Sequence, residues 1–460
     1  MIARICLILA LLAAIPGWSQ TDTPATGTQA PAAQNGAEDA DNQVTNTGML
    51  TPPPVTGEAY AAAPGNEVRN NYLTLGVTST AGYDDNVAAG YSTIPESDMI
   101  YSFWPTVSLD KNTLRIREKF NYSPGFTFYE PHTLHNASDQ NASANITLHP
   151  SETTTISMLD SFVRSSTLYN QPNGSSGGAV TGGTPGQVVG AIAPFADRIT
   201  NSADVELSDQ PGENQMIGMS GQYSQLDYPD ASQVQGLYNS NSYSVGAFGS
   251  DRLSGRQYFG GNVQHSRVVS YLKVSDSVLQ SDNIFGFYTI YLRNSPQSVI
   301  SISVTGGPEH YTAVQIPEPS LEAWAPAVTV AVGMQQHLWS MAVNYSHNVT
   351  AGGGLPGAYR EESVHGFYRR ELTPTWDINV SGIYALNTNI TPKFPLAEPG
   401  GHTMTIGVSA EHRLTRSLTC TAGYDRMQES YSGVGALSQF PNSNREYGSI
   451  TWQFSRPLGR

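Results

Sequence analysis

Cysteine and long apolar runs are both scarce in this 460-residue sequence. Of the two cysteines, Cys6 lies in an apolar run near the N-terminus, so Cys420 is the single cysteine that follows that run. One thiol cannot form an intrachain disulfide, which excludes a small extracellular domain held together by cystines. After Gln20 no stretch approaches the roughly 18 consecutive apolar residues of a membrane-spanning helix, so the sequence predicts no such helix.

Charge is also scarce, because charged residues make up 13% of the chain and apolar residues 39%. The formal net charge is −15, which argues against nucleic acid and anionic lipid surfaces as partners. Glycine and tyrosine are abundant, with 44 and 24 residues. The chain is long, yet it can build neither a thick apolar core nor a strongly charged surface. This composition suits a wall one residue thick, apolar on the outside and polar on the inside.

The N-terminus has the pattern of a secretory signal. Arg4 precedes an apolar run from Ile5 to Ile15, and the following Pro16-Gly17-Trp18-Ser19 has small residues at the positions that a signal peptidase prefers. We expect residues 1–19 to be a cleaved signal peptide, with an N-terminal anchor as the alternative. Residues 20–70 are rich in Thr, Ala, Pro and Gly and lack periodic apolar residues, so we expect a disordered periplasmic linker. Residues 71–460 then form the folded domain.

From Tyr72 onward, apolar and polar residues alternate with the period of two that is typical of β-strands. About eighteen strands are expected. They lie near residues 72–83, 98–110, 113–129, 137–149, 153–164, 198–208, 215–226, 241–251, 256–266, 280–292, 298–310, 325–335, 338–347, 361–371, 376–386, 402–413, 418–427 and 445–455.

The connections between these strands alternate in length. After every second strand the turn is mostly short, as at Pro150-Ser151 and Thr373-Pro374, whereas most other connections are long and rich in Gly, Asn and Pro. This asymmetry predicts an all-β, transmembrane antiparallel β-barrel of the bacterial outer membrane, with periplasmic turns and extracellular loops. The longest connection, from Ser165 to Asp197, is expected either to fold inward and narrow the lumen or to be disordered.

Two segments show most clearly which face would meet lipid. In "SVISISVTG", Ile300, Ile302 and Val304 share one face. In the hairpin of residues 401–427, one strand is predicted to place Met404, Ile406 and Val408 against lipid and Thr405, Ser409 and Glu411 against water.

Aromatic residues are expected in two girdles at the membrane interfaces. The turn-side girdle would contain Trp339, Trp376 and Trp452, and the loop-side girdle Tyr83, Tyr129, Tyr311, Tyr345, Tyr384 and Tyr424. The alternative is that aromatic residues simply favour strands. Glu118 interrupts the apolar face of its strand, which requires a β-bulge or a different register.

The polar face of the predicted barrel carries candidate pore-lining charges. In "LRIREKF", Arg115, Arg117 and Lys119 share one face and predict a basic ladder in the lumen that favours anions. Asp377 and Glu411 are predicted to line the pore as well. The alternative for the basic residues is a position at the membrane rim, where long side chains reach the headgroups.

Residues 82–130 resemble a family of β-barrel porins found beside exopolysaccharide genes. The resemblance rests on Tyr83, Asp84, Asp85 and Asn86 at the end of the first strand, and on Asp98 and Pro105 in the next strand. A strand that ends in aromatic residues follows. The resemblance implies an outer-membrane barrel with a role in polysaccharide passage.

Enzymatic motifs are missing from the sequence. It contains no P-loop, no Gly-x-Ser-x-Gly elbow and no His-Glu-x-x-His motif. His265 and Ser266 are adjacent, so in a strand they point to opposite faces and cannot form a catalytic dyad. We therefore expect no enzymatic activity, no cofactor and no metal site.

The sequence thus predicts an outer-membrane channel for a hydrophilic solute, with exopolysaccharide export included. A plugged structural or adhesin-type barrel is the alternative, and a secreted polysaccharide-binding β-protein is a third candidate. The expected partners are outer-membrane lipid, the solute or polysaccharide and the barrel-assembly machinery.

Overall fold

The computed structural model describes residues 71–88, 94–113, 115–130, 136–165, 197–229, 237–272, 276–295, 298–315, 320–351, 355, 357–391, 400–431 and 442–458. The predicted signal peptide and linker, Leu114 and residues 166–196 of the longest connection lie outside this range. Within it, no helix is long and apolar enough to cross a membrane.

Eighteen antiparallel strands form one closed sheet. The strands are β1 (Tyr72–Asp84), β2 (Asp98–Asn112), β3 (Ile116–Tyr129), β4 (Ala137–Leu148), β5 (Thr154–Ser165), β6 (Arg198–Gly212), β7 (Gln215–Asp227), β8 (Ser240–Ser254), β9 (Gln257–Ser270), β10 (Ser277–Ser295), β11 (Ser298–Gln315), β12 (Leu321–Gln336), β13 (Trp339–Thr350), β14 (Tyr359–Thr373), β15 (Trp376–Asn389), β16 (Gly401–Arg413), β17 (Leu418–Tyr431) and β18 (Asn442–Pro457). Each strand pairs with its neighbours in sequence, and β1 also pairs with β18. The predicted closed barrel is confirmed.

The turns lie at one end of this barrel and the longer connections at the other. Two-residue turns join β6 to β7 at Glu213–Asn214 and β8 to β9 at Gly255–Arg256. At the β2–β3 turn, the Thr113 hydroxyl accepts a hydrogen bond from the Ile116 N–H at 3.0 Å, which stabilises the reversal of the chain. We call this end the turn side and the opposite end the loop side.

The outer face of the barrel is apolar. Val304, Ile406 and Val408 are each 43% exposed, whereas Ser303 and Ser409, on the opposite face, are buried. The predicted lipid-facing row is therefore the outer row of the barrel. Trp376 and Trp452 are exposed near the turn side. Tyr83, Tyr345, Tyr384 and Tyr424 are exposed on the outer face toward the loop side.

Two members of the predicted loop-side girdle are placed wrongly by the sequence. Tyr129 and Tyr311 are buried on the inner face. In β3 the exposed residues are Phe126 and Phe128, so Tyr129 has the opposite parity and points inward. The prediction used the height of these tyrosines along the barrel, and height does not specify the face.

The predicted irregularity at Glu118 is also wrong. The pairing of β3 with β4 runs through Glu118 without a register shift. Glu118 stands on the outer face near the turn side, where its carboxylate lies 3.6 Å from the Lys111 ammonium group of β2. A cross-strand ion pair at the rim thus accommodates the charge without a bulge.

Large inner-face side chains lie over glycines of neighbouring strands. A Cβ atom on Gly125 would be 2.4 Å from the Trp104 ring, and one on Gly218 would be 2.4 Å from the Phe248 ring. Phe248 belongs to an inner apolar cluster with Met216, Tyr258, Phe287 and Tyr291. Glycine at these positions lets the rings lie flat against the wall.

Candidate functional site: the inner wall

Hydroxyl groups bridge neighbouring strands on the inner face. The hydroxyl–hydroxyl pairs, with oxygen–oxygen distances between 2.6 and 3.1 Å, are Thr74–Ser455, Thr78–Thr451, Thr106–Ser123, Ser224–Ser242, Ser266–Ser281, Thr289–Ser303 and Ser346–Ser363. They join six of the eighteen neighbouring strand pairs. A hydroxyl can donate and accept, so the wall is polar without carrying charge.

Carboxylates collect on the inner face of the loop side, where neutral donors hold several of them. In the described strands, the inner carboxylates of this side are Asp84, Asp98, Asp139, Glu309, Glu361, Asp425 and Glu429, and the inner arginines are Arg198 and Arg445. The backbone N–H of Val349 donates to Glu309 at 3.0 Å, and that of Glu130 donates to Asp98 at 3.0 Å. The Arg445 backbone pairs with Asp84 on one side and Asp425 on the other.

The turn side neutralises its main buried carboxylate with arginines. Asp377 is 2% exposed, and its Oδ2 accepts hydrogen bonds from Arg369 at 3.0 Å and Arg413 at 2.8 Å. Glu411 is the cross-strand partner of Asp377. Asp377 and Glu411, which the sequence predicts to line the pore, therefore lie together in one charged cluster of β14, β15 and β16.

The predicted basic ladder is divided between β3 and the turn before it. Arg117 and Lys119 belong to β3, and Lys119 pairs with Asp110 of β2 and Asn145 of β4. Arg115 precedes the strand, and its carbonyl accepts the His149 N–H at 2.8 Å. The expected row of three strand residues is thus shorter, because β3 begins at Ile116.

The segment Tyr83-Asp84-Asp85-Asn86 joins the first strand to the last. The Asp85 carboxylate accepts the backbone N–H and the side-chain amide of Asn444, each at 2.7 Å. Asp84 accepts the Ser443 hydroxyl at 2.8 Å. Asn86 donates to the Asn442 carbonyl at 2.9 Å.

These bonds close the loop side of the seam between β1 and β18. Tyr83 points outward. The motif thus ties the first strand to the last, a contact that no local pattern in the sequence predicts.

Arg198, Tyr228 and Glu429 are three polar residues near the loop side, on strands that lie far apart in the sheet. In the closed strand order, β7 and β17 are separated by eight strand steps in one direction and ten in the other. Ile199 pairs with Asp227, so Arg198 stands next to Tyr228 on the near wall. Tyr228 is 3% exposed and Glu429 of β17 is fully buried.

Burial raises the pKa of the Tyr228 hydroxyl, while the positive charge of Arg198 lowers this pKa and the negative charge of Glu429 raises it. Both charges therefore act on one phenol. Sequence reasoning did not predict this electrostatic influence, since no local pattern links residues on distant strands.

No family model and no curated protein matches this chain. Among solved structures, the chain is similar to OccK2 (OpdF) of Pseudomonas aeruginosa, at 8% identity over 84% of this chain and 98% of that chain, with a TM-score of 0.42. OccAB3 of Acinetobacter baumannii gives 8% identity, 85% and 100% coverage and a TM-score of 0.42. The chain is also similar to the outer-membrane protein OprD of P. aeruginosa, at 9% identity over 87% of this chain and 98% of that chain, with a TM-score of 0.38.

OccK2 is also known in complex with glucuronate. Similarity at this level assigns no solute and no binding residue to the present chain. The resemblance of residues 82–130 to the exopolysaccharide-associated porins has no matching family model behind it.

Proposed function

We propose that this protein is an outer-membrane channel for small hydrophilic solutes, inserted after removal of an N-terminal signal peptide. The observation that carries the proposal is the difference between the two faces of the same strands. The outer face exposes an apolar band, whereas the inner face carries hydroxyl pairs and carboxylates. A closed barrel with this distribution fits a bilayer outside and water inside.

A solute of the size of a sugar or an amino acid is the first candidate. The hydroxyl pairs of the inner face can donate hydrogen bonds to such a solute and accept hydrogen bonds from it. Exopolysaccharide export is a second candidate, which the resemblance of residues 82–130 favours. A plugged structural or adhesin-type barrel is the third, favoured by the complete burial of Glu429.

Single-channel recording in a planar bilayer tests this proposal. The full-length mature protein should give discrete conductance steps, and liposomes that contain it should swell in small sugars but not in dextran. Passage of dextran would favour polymer export. A protein that inserts but conducts no ions and admits no sugar would be a plugged barrel.

Arginine substitutions on the two faces test the orientation in the membrane. Ile302 lies on the outer face between Ile290 and Val332, whereas Ala342 has the inner-face parity. Ile302→Arg should cost about 2 to 4 kcal/mol of folding free energy in lipid bilayers, because the charge would face hydrocarbon. Ala342→Arg should cost clearly less. Equal costs in bilayer refolding titrations would contradict the assigned faces.

A further inference from the structure

We infer that the outer wall at β3, β4 and β5 is a contact surface for a second copy of this chain. In this contact, Tyr122 of each copy donates a hydrogen bond to Asp160 of the other. Such a contact requires a barrel that stands in a membrane, whatever passes through its lumen. Three features point to it: a carboxylate inside the apolar band, alanines beside that carboxylate, and a phenol at the same height.

Asp160 is a charged residue in the middle of the lipid-facing band. It is exposed at the centre of β5 and has the outer-face parity of Met158, which is 39% exposed. Met158 and Phe162 are its outer-face neighbours along the strand, so apolar side chains flank it on both sides. A charge that faces hydrocarbon costs free energy, and an ionisable residue at this depth marks a contact or a functional site.

Alanines surround Asp160 on the outer face. In the strand register, Ala144 of β4 and Ala203 of β6 lie directly beside it. Ala142 is the next outer residue of β4 toward the loop side. These short side chains leave the wall low around the carboxylate. Small residues let two membrane-spanning elements approach each other closely, so this part of the wall suits contact with another barrel.

Tyr122 of β3 stands at the height of Asp160. The strands tilt, because one line of register partners starts at Leu109 near the turn-side end of β2 and reaches Asp160 in the middle of β5. At a tilt of roughly 40°, the residue of β5 level with one of β3 lies about two to three residues toward the turn side of its register partner. The register partner of Tyr122 is Phe162, through Ala142. Asp160 lies two residues below Phe162 on the same face.

A two-fold axis along the membrane normal through β4 makes this surface complementary to itself. It places β3 of one copy against β5 of the other, so each Tyr122 hydroxyl faces the Asp160 carboxylate of the other copy. Within the described part of the chain, neither side chain makes a hydrogen bond or an ion pair in its own barrel. A phenol that donates to a carboxylate makes a charge-assisted hydrogen bond, which is strong away from water.

The same axis avoids a clash of like charges. The alanines of β4 meet at the axis, and the two Asp160 carboxylates lie about two strand spacings apart, roughly 10 Å. A contact in which residue i meets residue j and j meets i closes at two copies. The expected assembly is therefore a dimer.

Energy transfer between fluorescent copies in liposomes tests the inference. Donor and acceptor dyes on the N-terminal amine of the full-length mature protein report association, and dilution with lipid gives the Kd of the dimer. Tyr122→Phe removes only the hydroxyl, so each dimer loses two hydrogen bonds and the Kd should rise about 10- to 100-fold. Tyr345→Phe, at another outer tyrosine that is 37% exposed, is the matched control and should leave the Kd unchanged.

Mixing two variants tests the pairing of Tyr122 with Asp160. In a mixture of Tyr122→Phe and Asp160→Ala, only the mixed dimer retains one contact between Tyr122 and Asp160. Transfer from donor-labelled Tyr122→Phe to acceptor-labelled Asp160→Ala should therefore exceed the transfer within either variant alone. A change confined to a single barrel cannot produce this recovery.

Bulk at the axis provides a separate variant. Ala142→Leu should hold the two walls apart and raise the Kd, whereas Ala422→Leu, at an exposed alanine of β17, should not. Resistance of the folded band to unfolding in cold detergent shows that each variant forms a barrel.

Three results would overturn the inference. Transfer no higher than that of randomly placed copies at every lipid dilution would show a monomer. Association that Tyr122→Phe, Asp160→Ala and Ala142→Leu all leave unchanged would show that another face forms the contact. Mixed transfer equal to that of the single variants would show that Tyr122 and Asp160 do not pair. None of these results bears on conductance, and a barrel that dimerises without conducting would overturn only the channel function.

Discussion

The two ends of the inner wall hold buried carboxylates in different ways. On the turn side, Asp377 is clamped between the guanidinium groups of Arg369 and Arg413. On the loop side, Asp84, Asp98 and Glu309 accept hydrogen bonds from hydroxyl and backbone groups. A buried carboxylate needs either a counter-charge or several neutral donors. One barrel uses both solutions, and the loop side of the described strands holds more inner carboxylates than inner arginines.

Removal of the clamped carboxylate should have the largest effect. Asp377→Asn replaces the carboxylate with a neutral amide, so Arg369 and Arg413 lose their counter-charge. Breaking a buried pair from one side costs roughly 3 to 5 kcal/mol, and we expect about 2 to 3 kcal/mol because the arginine side chains are 25% and 27% exposed. Urea titration of the barrel in lipid measures this change.

Glu118→Gln is the control for this prediction. It removes the carboxylate of an ion pair whose members are 39% and 52% exposed, so it should change stability by less than about 1 kcal/mol. If Glu118→Gln lowers the free energy of unfolding as much as Asp377→Asn does, burial does not determine how much each carboxylate contributes to stability.

Packing provides a second test on the turn side. Gly218→Ala would bring a Cβ to 2.4 Å from the Phe248 ring and 2.7 Å from the Leu207 carbonyl oxygen, and should cost about 1 to 3 kcal/mol through overpacking. In the same strand, a Cβ at Gly221 would meet nothing within 4 Å. Gly221→Ala should therefore be neutral or slightly stabilising. The same urea titration compares the two, and equal stabilities would contradict the close packing at Gly218.

On the loop side, we expect a smaller loss of stability when the contact between Asp85 and Asn444 is removed. Asp85→Ala removes the acceptors of two hydrogen bonds from Asn444 and should cost about 1 to 2 kcal/mol. Asn444→Ala removes one of those donors. In a double-mutant cycle the two changes should be less than additive, because they act on one contact. If the two losses of stability measured by thermal unfolding are additive, Asp85 and Asn444 do not stabilise the barrel through their mutual hydrogen bonds.

The smallest expected effect concerns ion selectivity. Inner carboxylates outnumber inner arginines on the loop side of the described strands, so the channel should favour cations at low salt. Arg117→Gln with Lys119→Gln should strengthen this preference, and high salt should weaken it through screening. Reversal potentials measure both. An anion preference that disappears in the double variant would instead support the basic ladder predicted from the sequence.

Local patterns in the sequence predicted much of the fold. Period-two alternation identified all eighteen strands, and the alternation of short and long connections placed turns and loops at opposite ends. These features are local because each strand shows its two faces within a few residues. The same patterns indicated the outer row of Ile302 and Val304. They failed at Tyr129 and Glu118, where parity and a cross-strand partner decide the environment.

Tertiary structure decided the contacts between distant parts of the chain. Asp85 meets Asn444 because the barrel closes, and Arg369 meets Asp377 because the strand register aligns them. Alternation specifies which face a side chain occupies, but barrel closure and register determine what that side chain meets.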